Sequence, residues 1–305
     1  MKVKFWGVRG SIPCPGPLTV KYGGNTPCIE LRLRDTGRQI IVDAGSGIRE
    51  LGNSMMAHDL PKGPIDTDIF LSHTHWDHIM GFPFFTPGYL PTTKLRIHGP
   101  VTLEGGSLEQ VMAGQMTYRY FPIREVELAA DITYVELKED RIDLGNGLML
   151  TTKYLNHPIL CLGYRFEYQG KVFCTAYDTE PFRNLFPSDP EDPNYDELMV
   201  GEGRLVADEQ NQAVEQFIAG ADLLVYDSQY SRQEYESSKL GWGHSSHEYA
   251  CEAASRAGVK AMALFHHDPM RSDDQLDQLS LTHCQPGRYG DTRIFFAREG
   301  MEIEL

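Results

Sequence analysis

Ile69-Phe70-Leu71-Ser72-His73-Thr74-His75-Trp76-Asp77-His78 is the stretch on which the fold of this chain turns. An apolar run of strand character leads straight into three imidazoles and a carboxylate gathered within positions 73 to 78. A buried strand that ends this way offers metal-ligating groups on a rigid support, and zinc takes both imidazole nitrogen and carboxylate oxygen. Alternate residues on an extended stretch or tight turn aim His73 and His75 at one ion while Asp77 and His78 aim at another, so this loop predicts two metals. A polar surface loop with chance histidines is the competing reading, and the strand in front of the cluster argues against it.

The donors that a dinuclear site still lacks stand where other strands should end. Asn156-His157-Pro158 follows the apolar segment 148–154, Tyr177-Asp178-Thr179 follows 171–175, and Phe265-His266-His267-Asp268-Pro269 follows 261–264. Singly each is weak, because a lone His is more often a hydrogen-bonded structural residue and an Asp before Thr more often caps a turn. In this order, beside the first cluster, they read as one site.

Strand-like segments fall in two sets: 3–6, 29–33, 39–42, 69–71 and 95–98, then 148–154, 163–168, 171–175, 223–226, 261–264 and 293–297. Helical patterns lie between them at 46–56, 208–219 and 246–257, the last opened by Ser245 and Glu248 in capping-box spacing. Hairpins mixed with β-to-α passages leave a four-layer α/β arrangement in competition with a doubly wound sheet. Residues 1–305 read as a single domain with insertions at 101–141 and at the Pro- and Asp-rich 179–202. Such segments serve as lids, dimer contacts or solvated loops.

The chain resembles the metallo-β-lactamase superfamily of dinuclear hydrolases, whose H-x-H-x-D-H motif and later His, Asp and His match these stretches from Val42-Asp43-Ala44-Gly45 to the His pair at 266 and 267. Within it, the run from Leu71 to His78, the pair Asp178-Thr179 and Gly243-His244-Ser245 are most similar to the phosphodiesterase branch that includes ribonuclease Z. The resemblance implies an α/β fold, an αββα sandwich of two mixed β-sheets flanked by helices, with metals at one edge of the sheets. It implies that His73, His75 and His157 hold one ion, that Asp77, His78 and His266 hold the other, and that Asp178 bridges them. Either His266 or His267 could be the ligand; matching Leu264-Phe265-His266 to the family's Leu-Thr-His favours His266. The resemblance also makes Asp77 and His244 the catalytic residues, His244 lying over the site to help the leaving group, where the alternative is an exposed loop imidazole.

Other motifs carry two readings each. Asp43, by resemblance, supports the metal loop, and a carboxylate that only braces the loop would look the same in sequence. The glycine-rich segments Gly7-Val8-Arg9-Gly10-Ser11 and Tyr22-Gly23-Gly24-Asn25-Thr26 either approach a substrate phosphate or merely turn the chain. Phe82-Pro83-Phe84-Phe85 reads mostly as core, Trp76 as packing under the metal loop, His247 as structural, and the acidic residues 189–197 as a solvated face.

Hydrophobic residues at 41% and charged residues at 23% belong to a globular enzyme and exclude disordered and fibrous classes. No apolar run approaches the ~18 residues of a spanning helix, and the start Met1-Lys2-Val3-Lys4-Phe5-Trp6 lacks a signal peptide's apolar stretch, so a cytoplasmic location without membrane contact is expected. The six cysteines form no C-x-x-C pair, which predicts free thiols. A net charge of −15 repels polyanions and favours a small-molecule substrate over large nucleic acid, although metal ions dominate the local field in a cleft. A homodimer is implied by the resemblance.

Two divalent cations sharing Asp178 would bring the pKa of a bridging water toward about 7 and so supply hydroxide. The expected function is a dinuclear metal-dependent hydrolase, with zinc as the metal and manganese or iron as substitutes. Its substrate is expected to be a small or cyclic nucleotide-like phosphodiester, with His244 as donor to the leaving group. Alternatives are a ribonuclease Z-like tRNA 3′-end endonuclease, against which stands the lack of a Lys/Arg-rich arm, and a lactone, thioester or β-lactam hydrolase. An iron redox protein on the same scaffold would carry Glu at position 75, and a metal-binding module without turnover would not keep every ligand.

Overall fold

Apolar runs with little polar alternation become strands buried on both faces, and that requirement organises the computed structural model, which describes residues 1–102 and 105–305. In chain order the strands are β1 (Lys2–Gly7), β2 (Cys28–Arg32), β3 (Gln39–Val42), β4 (Asp66–Phe70), β5 (Lys94–Pro100), β6 (Asp131–Leu137) and β7 (Arg141–Asp143). Then come β8 (Met149–Leu155), β9 (Cys161–Tyr168), β10 (Lys171–Ala176), β11 (Leu223–Asp227), β12 (Ala261–Phe265), β13 (Arg293–Phe296) and β14 (Glu302–Glu304). They form two seven-stranded sheets, ordered β14-β1-β2-β3-β4-β5-β6 and β13-β12-β11-β10-β9-β8-β7. Both are mixed: the hairpin strands pair antiparallel, while β3-β4-β5-β6 and β10-β11-β12-β13 run parallel.

The strands' alternation explains the layers. Ile40 and Val42 of β3 face the core between the sheets, together with Leu223 and Val225 of β11 and Ala263 and Phe265 of β12. Their neighbours Leu224, Tyr226, Met262 and Leu264 face outward onto the helices Glu197–Ile218, His247–Arg256 and Asp273–His283. Ile41 and Ile69 face the other way, onto the helices Ile48–His58 and Leu108–Gly114. The expected αββα sandwich is therefore the observed one, and the doubly wound alternative falls. Asp43 has φ 62 and Gly45 approaches Asp77 and Thr26 so closely that a Cβ would clash, which places the turn after β3 against the metal loop.

Several local expectations need correcting. The N-cap of the helix His247–Arg256 is Ser246, whose side chain accepts from Tyr249 N, while Ser245 Oγ donates to Thr179 O; the capping box expected from Ser245 does not form. The long helix begins at Glu197, capped by Asp196, well before position 208, because Gly201, Gly203 and an exposed apolar face hide its first turns from a periodicity count. Strands β6, β7 and β14 escape notice because they are edge strands with mostly exposed or half-buried side chains. Of the segment 101–141, residues 103 and 104 lie outside the described residues; the rest carries the helix Leu108–Gly114 and β6. All six cysteines are free, and among the described residues no helix is long and apolar enough to cross a membrane.

Candidate metal centre

The chemistry-bearing side chains follow the carboxyl ends of strands in both sheets, where an open α/β sheet exposes its ligand site. β3 delivers Asp43, β4 the run from Ser72 to His78, β8 His157, β10 Asp178, β11 Asp227 and β12 His266. Of these, Asp43, Asp178 and His266 sit at positive φ (62, 30 and 61), as does Ser11 at 65. Non-glycine residues in that region cost of order 1–3 kcal/mol each and persist where surrounding bonds over-determine them.

Two donor groups meet at one carboxylate. In the first, His73 Nε2 and His157 Nε2 each lie 3.0 Å from His75 Nδ1. Asp178 Oδ2 lies 3.4 Å from His73 Nε2 and 3.9 Å from His157 Nε2. In the second, Asp77 Oδ2 lies 3.4 Å from His78 Nε2 and 3.1 Å from His266 Nε2. Asp178 joins this group as well, with Oδ2 3.2 Å from His78 Nε2 and Oδ1 3.3 Å from His266 Nε2. Within each set one atom per residue lies within 4.8 Å of every other.

These distances suit metal ions better than they suit mutual hydrogen bonds. Ligand atoms about 2.0–2.1 Å from a tetrahedral ion stand roughly 3.3 Å apart. His78 Nε2 and Asp178 Oδ1 are buried without a hydrogen-bond partner, and each faces a donor set. Burial holds the His73 imidazole below its ordinary pKa and that of His157 down at about 4, so both offer a lone pair. Burial works against ionised Asp77 and Asp178, but the imidazoles around them outweigh it and hold both well below the carboxylate range. Burial likewise opposes charge on His78, yet Asp178, Asp77 and Asp43 override it and raise its pKa, so an incoming cation displaces a proton there. The seven residues expected as ligands could thus hold two divalent cations.

Behind the donors lies a set of bonds that fixes them. Asp43, fully buried, accepts from Ser72 N at 2.7 Å and Ser72 Oγ at 2.9 Å, and its Oδ2 lies 2.7 Å from His78 Nδ1. It braces the loop and faces a donor imidazole, which unites its two sequence readings. His157 Nδ1 donates to Gly243 O at 2.9 Å; a Cβ at Gly243 would come within 2.3 Å of that nitrogen. His266 requires a glycine at position 10, where a Cβ would approach its Nδ1 to 2.4 Å. The first glycine-rich segment is a brace rather than a phosphate cradle, because its amides are spent. Val8 N and Arg9 N donate to Asn25 O, Gly10 N to His267 O, and Ser11 N to Asp77 Oδ2 at 2.7 Å. The buried Arg9 guanidinium ties the same region together by donating to Gly23 O, Asp268 O and Arg271 O.

His266 and His267 part company here. His266 joins the donors, whereas His267 Nε2 lies 2.8 Å from Ala297 O and its ring packs against Tyr22 and Phe296. His244 stacks on His266 with ring centroids 4.9 Å apart and stands 5.5 Å from the His157 ring, so it borders the centre and is not an exposed loop group. Its Nδ1 donates to Asp227 Oδ2 at 2.9 Å. Burial lowers the His244 pKa, but Asp227 foremost, then Asp178 and Asp77, carry it up to about 9. Sequence reasoning misses Asp227: it closes the apolar strand β11, as Asp178 stands two residues past the end of β10, and a carboxylate at the carboxyl end of an apolar strand is the signal that could find it.

Trp76 does not pack under the metal loop: it is 77% exposed. Asp77 and His78 of the helix Trp76–Ile79 turn inward, and successive helical side chains diverge by about 100°, which sends Trp76 out. Phe82 and Phe85 belong to the core, while Phe84 is half exposed and meets Phe121. His247 is buried and stacks on His283, away from the centre.

Among known proteins, the chain is similar to the ribonuclease Z of Synechococcus sp. (strain CC9311), with 26% identity over 299 residues spanning 88% of each chain. In three dimensions it is similar to the metallo-β-lactamase fold protein YhfI from Bacillus subtilis, with a TM-score of 0.64 at 18% identity, covering 99% of this chain and 98% of that one. It is also similar to the short form of human tRNase Z, with a TM-score of 0.62 at 18% identity, covering 100% and 99%. No protein-family profile matches the chain.

Proposed function

We propose that this chain, similar in sequence to ribonuclease Z and in fold to a metallo-β-lactamase fold protein, is a metal-dependent hydrolase of the metallo-β-lactamase superfamily, a phosphodiesterase with two divalent cations, zinc foremost, acting on a small or cyclic nucleotide-like phosphodiester. The observation that carries this reading is the meeting of two donor groups at Asp178 with the His244–Asp227 pair alongside. When bound, the cations supply Lewis-acid charge for the phosphoryl oxygens and acidify an attacking water. His73, His75 and His157 would hold one and Asp77, His78 and His266 the other, with Asp178 common to both. Asp77 is fixed by Ser11 N and would serve both as a ligand and as an acceptor for a proton of the attacking water.

His244 supplies what the metals do not. An alkoxide leaving from phosphorus needs a proton, and Asp227 orients the His244 ring so that Nε2 is the nitrogen left to give one. The small-substrate reading is supported by the net charge of −15 and by a cleft of about 520 Å³ beside His75 whose described lining residues carry no formal charge. A second reading, cleavage of precursor tRNA, draws on the name of the curated relatives. One domain over 1–305, a cytoplasmic location and a homodimer belong to the same proposal.

Turnover of bis-p-nitrophenyl phosphate, cyclic nucleotides, precursor tRNA and lactones by the metal-loaded protein tests it. Cleavage of the small diesters at rates far above precursor tRNA is expected. Cleavage of a carbonyl substrate alone defeats the phosphodiesterase reading, and efficient tRNA cleavage alone moves the function to the second.

A further inference from the structure

The cleft beside His75 is built from four separate pieces of chain. Thr74 and His75 follow β4, Pro100 ends β5 and Val101 follows it, Val111 lies on the helix Leu108–Gly114, and Pro158, Ile159 and Leu160 follow His157 on the way into β9. It therefore opens directly onto the first donor group, through His75, while its far wall belongs to a helix with no part in the centre. A volume of about 520 Å³ falls in the range of a small-molecule site, and apolar walls at Val101, Val111, Ile159 and Leu160 with polar groups at Thr74, His75 and Thr102 are how such sites combine affinity with orientation.

The chemistry of that lining is selective. Among the described lining residues none carries a formal charge, so away from the His75 edge a phosphate or a continuing polyanionic strand gains no countercharge from the walls and loses water on entry. An apolar group gains by leaving water. His244, the donor for the departing oxygen, is not among the lining residues, so the arm that leaves and the arm that could fill this cleft are different arms of one diester.

We propose that the cleft walled by Val111 and Ile159 is the subsite for the retained ester arm of the substrate, and that it takes an uncharged, largely apolar group such as an aryl ring. The assignment rests on the phosphodiesterase reading above and adds to it which arm is recognised and by what. Ile159 and Val111 are specificity-determining residues that are themselves neither donors nor hydrogen-bond partners of the donors.

The test uses two esters that release the same leaving group, phenyl p-nitrophenyl phosphate and methyl p-nitrophenyl phosphate, with the metal-loaded protein. Wild type favours the phenyl ester. Filling the cleft from either wall, with Ile159→Trp or Val111→Trp, lowers kcat/KM for the phenyl ester by about 10- to 200-fold, the discrimination an apolar pocket supplies, and leaves the methyl ester within about twofold. Calorimetric binding of phenyl phosphate, the retained-arm product, weakens in parallel, and bound metal stays at the wild-type level. Since Val111 lies on a helix that supplies no donor, it keeps the test informative if Ile159→Trp disturbs the His157 loop. Equal losses on both esters in the two variants, or no loss on either, overturn the subsite while leaving the hydrolase reading intact. A wild type inert toward both esters overturns the phosphodiesterase reading, and the subsite with it.

Discussion

Asp43→Asn is the most searching change, because it preserves shape and removes only a charge and an acceptor. Asn tolerates the left-handed backbone at φ 62, so the turn itself survives. The wild-type carboxylate accepts everywhere: Oδ1 takes Ser72 N at 2.7 Å, and Oδ2 takes Ser72 Oγ at 2.9 Å and His78 Nδ1 at 2.7 Å. An amide must turn its NH2 to one side or the other. Facing Ser72 N, it sets two donors against each other in a fully buried place, at a cost of roughly 1–3 kcal/mol of stability. Facing His78, it forces the imidazole proton onto Nε2, the atom 3.2 Å from Asp178 Oδ2, and removes that nitrogen as a ligand. Loss of a supporting contact of this type lowers metal affinity by about 10- to 100-fold, or roughly 1.4–2.7 kcal/mol.

Both outcomes are measurable on one preparation. Competition with a chelating dye gives the affinity of each ion, and thermal melts with and without chelator give the stability. The expected variant loses the ion at Asp77, His78 and His266 before the other, or melts lower with both retained. Two ions bound at wild-type strength together with an unchanged melt would refute the reasoning.

Other substitutions separate the roles. Asp178→Ala should lose metal and activity together, whereas His244→Ala should keep the metals and slow turnover by roughly 100- to 10,000-fold; equal metal loss in both, by elemental analysis, contradicts the assignment. Asp227→Asn, which leaves His244 Nδ1 without its carboxylate, should bring kcat down toward the His244→Ala level at full metal content; wild-type turnover would show that contact idle. Far from the site, buried Asp68 accepts from Arg38, Arg96 and His98. Burial opposes its ionisation, but those partners hold its pKa below the usual range, so its stabilising contribution is present above the unfolded value of about 3.9 and fades as pH falls below it. Denaturant melts between pH 6 and pH 2.5 should therefore show Asp68→Asn less stable than wild type at pH 6, with the gap closing in acid. A constant gap would argue against the ion pairs.

The donors were legible because each follows an apolar strand, and a strand end is a local feature: His73 to His78, His157, Asp178 and His266 all announce themselves within a few residues of β4, β8, β10 and β12. What surrounds them is not local. Asp227 reaches His244 across 17 positions, Asp43 reaches His78 across 35 and Ser11 reaches Asp77 across 66, pairings that only the packed sheets create. The choice between His266 and His267 rested on a motif match, because adjacent imidazoles look alike until φ 61 at His266 sends the two rings to opposite sides. Trp76 misled for a related reason: in a ligand-rich loop an aromatic reads as packing, and the helical turn it starts points it outward. The long helix from Glu197 was concealed by two glycines and an unpartnered apolar face, which blur the 3.6-residue rhythm on which helix reading depends.

Anomalous diffraction from crystals of the zinc-loaded protein, collected on both sides of the zinc edge, is the most direct probe of the centre. Two peaks are expected, one among His73, His75 and His157 and one among Asp77, His78 and His266, with the Asp178 carboxylate between them. A single peak at some other place on the chain, or none in that pocket, would contradict the dinuclear site and the hydrolytic chemistry built on it.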